Sequence, residues 1–188
     1  MSAITISRQL GSLGEEVAQA VADRLGYRVV SRELITQAAQ RARLPELALA
    51  TIDDLGLLGL KPSKQDRRTY QEAVHELMHE MAVTGDVIIV GRAGQVILSD
   101  DPTVLHVKVI APAWLRAERV ARAQDIPLEN ALEQVKSSDK YRKKYLRRNY
   151  RVRWDDPQLY DVIINTARMT PEEAACLICQ AKHQCLSD

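Results

Sequence analysis

Short apolar runs rich in β-branched residues alternate along the chain with longer segments of helical periodicity. The runs predict strands over residues 3–7, 27–30, 87–90, 104–110 and 159–164. The segments between them predict helices over residues 15–25, 64–83, 113–124 and 128–148, another that opens near Ser31, and a last one from Pro171. Residues 51–63 contain two glycines and a proline and predict a loop or short helices.

This alternation is typical of α/β proteins. We expect a parallel sheet of about five strands with helices on both faces, in a single domain of 188 residues. The run from Val87 to Val90 is apolar throughout, which indicates a strand buried on both faces. In such open sheets, ligands bind beyond the carboxyl ends of the strands.

Composition narrows the class of protein. A net charge of +1 gives no global attraction to nucleic acid or membranes. No apolar run approaches the ~18 residues of a membrane span, and the first residues lack the pattern of a signal peptide. The three cysteines all lie after residue 175 and do not predict a disulfide framework, so we expect a cytoplasmic protein.

One segment departs from the balance of charge. Residues 140–153 contain eight Lys or Arg and no acid, so the rest of the chain carries about seven net negative charges. We interpret residues 137–154, called the lid segment below, as a basic lid over a site. Two alternatives stay open, a solvent-exposed helix face and a surface for single-stranded nucleic acid.

The strongest chemical signal follows the first strand. Residues 7–14, called the phosphate loop below, read SRQLGSLG and lead into a helix, the arrangement that binds anions at a helix N-terminus. In the motif GxxxxGK[ST], the lysine position is occupied here by Gly14, and we assign the hydroxyl position to Glu16. Glu16 is either a contact for magnesium or an acid that caps the helix. The candidate phosphate-binding residues are Arg8, Gly11, Ser12, Leu13, Gly14 and Glu16, with Arg8 supplying part of the missing charge.

Further arginines follow other predicted strands. Arg92 comes after the strand 87–90 and is a candidate ligand for phosphate or a structural ion-pair partner. Arg116, Arg119 and Arg122 lie on the helix after the strand 104–110; we interpret the first and last as solvent-exposed and keep Arg119 as a candidate ligand. Phosphoryl transfer depends mainly on positioning and charge neutralisation, so these residues point to that chemistry.

Two motifs resemble metal sites. Residues 75–79 read HELMH and match HExxH, and Cys176, Cys179, His183 and Cys185 have the composition of a metal cluster. Both sets lie among apolar residues at helical spacing, which favours packing. We therefore predict no metal-binding residues in either motif.

Five segments in order resemble the cytidylate kinase-like family of P-loop proteins, relatives of the nucleoside monophosphate kinases. They are residues 4–26, 87–98, 105–120, 137–150 and 154–174. The resemblance implies a three-layer P-loop NTPase-like fold. It also implies ATP-dependent phosphoryl transfer, with Mg²⁺, to a nucleoside monophosphate resembling CMP or to another small acceptor.

By position, the resemblance assigns Gly11, Ser12 and Gly14 to the phosphate loop. It assigns the acceptor nucleotide to Arg92, Asp139 and Arg142, and it likens Arg119 and the lid segment to the lid that closes over the donor. The candidate catalytic residues are Arg92, Arg119, Arg142 and Arg147.

The chain also departs from the family pattern. Ala93 stands where cytidylate kinases have an acid, Gly14 where the loop lysine is expected, and Ser31 near a position that is often Asp. A non-catalytic nucleotide sensor is therefore the main alternative, and an RNA-binding module a third. We expect nucleotides as partners and neither membrane nor nucleic acid; the sequence predicts neither the acceptor nor the oligomeric state.

Overall fold

The computed structural model describes residues 3–31, 33–42 and 64–185. Within them, the strands are β1 (Ala3–Arg8), β2 (Arg28–Val30), β3 (Val87–Val90), β4 (Val104–Ile110) and β5 (Val162–Asn165). The helices are α1 (Gly14–Leu25), α2 (Glu33–Ala42), α3 (Lys64–Thr84), α4 (Gly94–Ile97), α5 (Ala113–Gln124), α6 (Leu128–Tyr150) and α7 (Pro171–Cys185). The predicted loop over residues 51–63 lies outside the described residues.

The strands form one parallel sheet in the order β2-β3-β1-β4-β5, which confirms the predicted α/β fold. β1 is central, and its Ala3 pairs with Val87 of β3 and with Val104 of β4. The carboxyl ends of β1, β3 and β4 therefore lie side by side. The connections that leave these three ends build the candidate site.

Helices cover both faces of the sheet and give three layers. Neighbouring residues of a strand point to opposite faces: Ile89 joins a core with Leu34 and Met78, whereas Ile88 joins one with Val17 and Ile178. A smaller cluster joins α5 to α6 through residues that include Ala117, Val120, Ala131 and Val135.

The element bounds differ from the prediction mainly near the lid segment. α6 continues to Tyr150 and ends at Arg151, which has a left-handed φ of 61°. The last strand begins only at Val162, because Pro157–Leu159 form a 3₁₀ helix capped by the Asp156 side chain. The short helix α4 was not predicted. Among the described helices, none combines the length and the apolar character needed to cross a bilayer.

Candidate active site

The phosphate loop bends sharply between β1 and α1. Gly11 has a φ of 76°, and a Cβ at this position would lie 2.5 Å from the Arg116 carbonyl oxygen, so only glycine fits without movement. Leu13 is also left-handed, and α1 then begins with no side-chain N-cap. Since the first N–H groups of a helix have no partner within the helix, this terminus suits an anion.

The side chain of Arg8 fills the space beside Gly14. A Cβ on Gly14 would overlap with the Arg8 Cβ and lie 2.8 Å from its Cγ, and a Cβ on Gly91 would overlap with the Arg8 Nη1. The guanidinium therefore lies between the start of α1 and the end of β3. Its Nε and Nη2 donate to the Glu15 carboxylate over 3.0 and 2.8 Å. This geometry puts a cation next to the residue that stands at the lysine position.

The two acids of the first turn each lie near an arginine. The residue directly after Gly14 is Glu15, so the assignment of Glu16 to the hydroxyl position of the motif is wrong by one residue. Burial lowers the pKa of Arg119, and the nearby Glu16 carboxylate partly offsets that effect. With Glu15 paired to Arg8, neither carboxylate stands as an isolated negative charge at the loop.

Two arginines of α5 hold the phosphate loop from behind. Arg119 donates to the carbonyl oxygens of Gly11 (3.3 Å) and Thr166 (2.8 Å). Arg116 was predicted to be exposed, and that interpretation is wrong: the residue is 3% exposed. The residue is buried because α5 packs against both the loop and α6. Arg122 on the same helix is exposed, as predicted.

The Arg116 guanidinium connects the loop to α6. Its Nε donates to the Ala111 carbonyl (2.9 Å) and its Nη1 to the Leu10 carbonyl (3.3 Å). Nη1 and Nη2 also donate to the two carboxylate oxygens of Asp139 over 3.2 and 2.8 Å. The structure thus brings Asp139 to the loop, with its carboxylate held by a buried arginine.

Arg92 follows β3 in a strained segment under the lid segment. Arg92 and Ala93 are both left-handed, with φ of 56° and 61°, and such residues cost about 1–3 kcal/mol each. Ala93 packs in one apolar cluster with Leu146 and Trp154 of the lid segment. Backbone strain of this kind clusters at functional sites, and here it falls on Arg92, in the connection between β3 and α4.

The two remaining candidates on α6 differ in their placement. Arg142 is half-buried, donates to the Ser138 hydroxyl, and lies 5.9 Å from the Trp154 ring centroid. Arg147 is exposed and, in the described part of the chain, makes no hydrogen bond or ion pair with the phosphate loop. The structure therefore places Arg142 near the site and leaves Arg147 on the solvent side of the helix.

Sequence reasoning missed Lys108, which lies in β4 and is 6% exposed. Its Nζ donates to the Trp154 carbonyl (2.6 Å) and lies 4.8 Å from the ring centroids of Trp154 and Tyr160. Burial lowers its pKa, and the Asp155 carboxylate opposes that shift. The Trp154 indole donates to the Ser7 hydroxyl (2.9 Å). The hydrogen bonds of Trp154 with Ser7 and Lys108 therefore connect the lid segment to the sheet. The sequence signal that could have identified Lys108 is a lysine within the otherwise mostly apolar strand 104–110.

Alkaline pH should destabilise the protein through Tyr160. Burial raises the pKa of this phenol to about 12, whereas an unfolded tyrosine titrates near 10. Between these values the unfolded state loses its proton first, so the free energy of unfolding should fall by about 3 kcal/mol as pH rises from about 10 to 12. Urea unfolding across this window should show a shallower fall in Tyr160→Phe.

The matched control for this test is Tyr141→Phe, which removes a phenol at an exposed position. Tyr160→Phe also removes the hydrogen bond to the Trp154 carbonyl and lowers stability at every pH. The test therefore compares the slope of the unfolding free energy against pH and not its absolute value. Equal slopes in the parent and Tyr160→Phe would contradict this account.

Side chains of the two metal-like motifs make other contacts in the structure. His75 stacks on Tyr150 with ring centroids 5.8 Å apart, and Glu76 lies 3.9 Å from Arg41. Cys176 and Cys179 are half-buried free thiols on α7. Among the described residues, no group of three or more His, Cys, Asp or Glu side chains is placed to hold a metal ion.

The parallel sheet with β1 at its centre, and the phosphate loop between β1 and α1, define a P-loop kinase fold. Residues 3–168 match the model of the cytidylate kinase-like family, and the chain belongs to that family. The cytidylate kinase of Ignicoccus hospitalis is 29% identical over 172 residues, covering 92% of this chain and 94% of that protein. The cytidylate kinase of Pyrococcus horikoshii is 28% identical over 176 residues, covering 93% and 85%.

Solved structures share this fold. An uncharacterized protein from Eubacterium ventriosum superimposes with a TM-score of 0.74 and 24% identity, covering 96% of this chain and 97% of that one. Shikimate kinase from Acinetobacter baumannii gives a TM-score of 0.56 and 15% identity, covering 96% and 92%. The predicted resemblance and the P-loop NTPase-like fold are thus confirmed, and nucleotide phosphotransfer is the chemistry that the family suggests.

Proposed function

We propose that the protein transfers the γ-phosphoryl group of ATP to a nucleoside monophosphate, with CMP the first acceptor to test and another small acceptor the wider class. The observation that carries the proposal is the Arg8 side chain beside Gly14. It supplies a cation at the phosphate loop, where the lysine of the GxxxxGK[ST] motif is absent. Family membership then favours phosphoryl transfer over simple anion binding.

The donor phosphates would bind at the uncapped N-terminus of α1. Arg8 lies beside this terminus, and Arg119 holds the loop from behind. Carboxylate oxygens suit Mg²⁺, and Glu16 is exposed on the first turn of α1, so this residue fits the ion. When bound, Mg²⁺ neutralises charge on the transferring phosphate.

The acceptor would bind between the carboxyl end of β3 and the part of α6 that carries Asp139 and Arg142. Arg92 would hold its phosphate, because a guanidinium binds phosphate with two parallel hydrogen bonds. Arg142 beside Trp154 and Asp139 beside Arg116 would face the remainder of the acceptor. Arg147, on the solvent side, would reach the site only if the lid segment moves.

Arg92→Ala should weaken acceptor binding by about 1.5–3 kcal/mol, the range for hydrogen bonds to charged groups, or roughly ten- to a hundred-fold in Kd. Calorimetry with CMP measures this directly. Arg92→Lys is the matched control, because it keeps a charge and also has a Cβ, so the backbone strain is unchanged. Unchanged CMP affinity in folded Arg92→Ala would show that the arginine is structural.

The main test of the function is ADP production from ATP and Mg²⁺ with a panel of nucleoside monophosphates and small alcohols. We expect turnover with CMP or a close relative, and loss of turnover on chelation of Mg²⁺. The sensor alternative is favoured by one observation, the pairing of Arg8 with Glu15, which neutralises the loop cation. Tight ATP binding with no transfer to any member of the panel would establish that alternative instead.

A further inference from the structure

Three consecutive carbonyl oxygens of the phosphate loop are each held by a different side chain. Arg116 donates to the Leu10 oxygen (3.3 Å) and Arg119 to the Gly11 oxygen (3.3 Å). The Thr166 hydroxyl donates to the Ser12 oxygen over 2.8 Å, the shortest of the three contacts. The back of the loop is therefore fixed by groups from α5 and from the residue that follows β5.

Fixing these oxygens also orients the amide hydrogens. The peptide bonds are trans, so within each peptide unit the N–H points opposite to the C=O. Holding the Leu10 and Ser12 oxygens against the protein turns the N–H groups of Gly11 and Leu13 to the other side. The Ser12 N–H between them donates to the Gln9 carbonyl (3.2 Å), so the outward pair is that of Gly11 and Leu13. Backbone N–H groups turned outward from a loop bind anions.

Thr166 has a central place in this arrangement and is fully buried. Its hydroxyl accepts a hydrogen bond from Arg119 (3.2 Å) while donating to Ser12, and its carbonyl accepts a second one from Arg119 (2.8 Å). Its own N–H donates to the Ile110 carbonyl at the end of β4 (2.9 Å). One side chain thus connects the loop, the α5 arginine and the sheet.

We propose that Thr166 is a positioning residue for the phosphate loop: through the Ser12 carbonyl and Arg119 it holds the loop in the shape that binds the donor phosphates. The inference rests on the proposed function for the identity of the ligand. It does not require transfer, since it concerns only binding at the loop. Within the described residues, the hydrogen bonds of Thr166 go to Ser12, Arg119 and Ile110 and to none of the three acceptor candidates, so we expect the change to affect binding of the donor.

The test compares Thr166→Val with Thr166→Ser. Valine keeps the size of the buried side chain and removes the hydroxyl, which leaves the Ser12 oxygen without that donor and Arg119 without one acceptor. We expect Thr166→Val to bind Mg²⁺·ATP and inorganic triphosphate about five- to twenty-fold more weakly, as loss of one buried hydrogen bond implies, with CMP affinity unchanged. Thr166→Ser keeps the hydroxyl and should stay within about three-fold of the parent.

Thr5→Val is the matched control. Thr5 is also buried in the sheet, and its hydroxyl bonds to His106 Nδ1 (2.7 Å), but it lies within β1, two residues before the phosphate loop begins at Ser7. If the role of Thr166 is only structural, Thr166→Val and Thr5→Val should both lose stability, and their affinities for triphosphate should be alike. Amide hydrogen exchange of residues 11–14 supplies a second readout, expected to accelerate in Thr166→Val and not in Thr5→Val.

The outcomes separate this inference from the proposed function. Parent-like triphosphate affinity in folded Thr166→Val would overturn the positioning role and leave the kinase proposal intact. Triphosphate binding that depends on the hydroxyl, in a parent without transfer activity, would support the positioning role and overturn the kinase proposal. A parent that binds neither ATP nor triphosphate would overturn both.

Discussion

Introducing the lysine of the GxxxxGK[ST] motif, Gly14→Lys, should destabilise the protein and should not tighten its binding of phosphate. The Cβ of any residue at position 14 would overlap with the Arg8 Cβ, and Gly14 is buried at the start of α1. Overpacking of this kind typically costs about 1–3 kcal/mol, and the clash involves the first side-chain atoms, which cannot rotate away. Urea unfolding should show this loss, and Gly14→Ala, with the Cβ but no amine, should show a similar one.

The loss of stability in Gly14→Lys should be smaller when the Arg8 side chain is removed at the same time. Arg8→Gly removes the clashing Cβ, so the double variant Arg8→Gly/Gly14→Lys exchanges the arginine for a lysine at the standard position. We expect the double variant to recover most of the stability that Gly14→Lys loses, and to bind ATP more tightly than Arg8→Gly alone. If Gly14→Lys is as stable as the parent, or if the exchange recovers nothing, Arg8 does not occupy the lysine's space.

The sheet and most helices could be predicted because the pattern of apolar residues determines them. The strands 87–90 and 104–110 and the helix 113–124 have the bounds expected from the sequence. The helix α4 was missed because its start depends on the left-handed Ala93, which has no turn signal of its own. The last strand was placed too early because Leu159 and Tyr160, which precede the apolar run from Val162, belong to the end of a 3₁₀ turn that Asp156 caps.

The site was harder to predict than the fold, since its contacts join residues far apart in the chain. The spacing of Arg116, Arg119 and Arg122 shows a helix, but not which side faces the loop. Arg116 proved to be buried because Asp139, 23 residues later, supplies its counter-charge. Thr166 carries no signal in the sequence, because the parallel pairing of β5 with β4 decides its proximity to Ser12.

Removing the Arg116 guanidinium should have the largest effect on stability of any side-chain change at the site. Arg116→Met leaves the Asp139 carboxylate without its partner and the Leu10 and Ala111 oxygens without these donors. The arginine side chain is only 4% exposed and the aspartate side chain 22%. Breaking a buried ion pair from one side costs about 3–5 kcal/mol, and we expect Arg116→Met to lower the free energy of unfolding by that amount.

A double-mutant cycle with Asp139→Asn tests the pairing. Each single change leaves one partner without its counter-charge, whereas the double variant removes both charges. The loss of unfolding free energy in the double variant should therefore be smaller than the sum of the two single losses by about 1–3 kcal/mol. Arg122→Met, exposed on the same helix, is the control and should change stability by less than about 0.5 kcal/mol. Strictly additive losses would contradict the pairing. The same Asp139→Asn protein separates the two roles of this residue: unchanged CMP affinity would make it a support for Arg116, whereas a loss beyond that of Arg116→Met would place it against the acceptor.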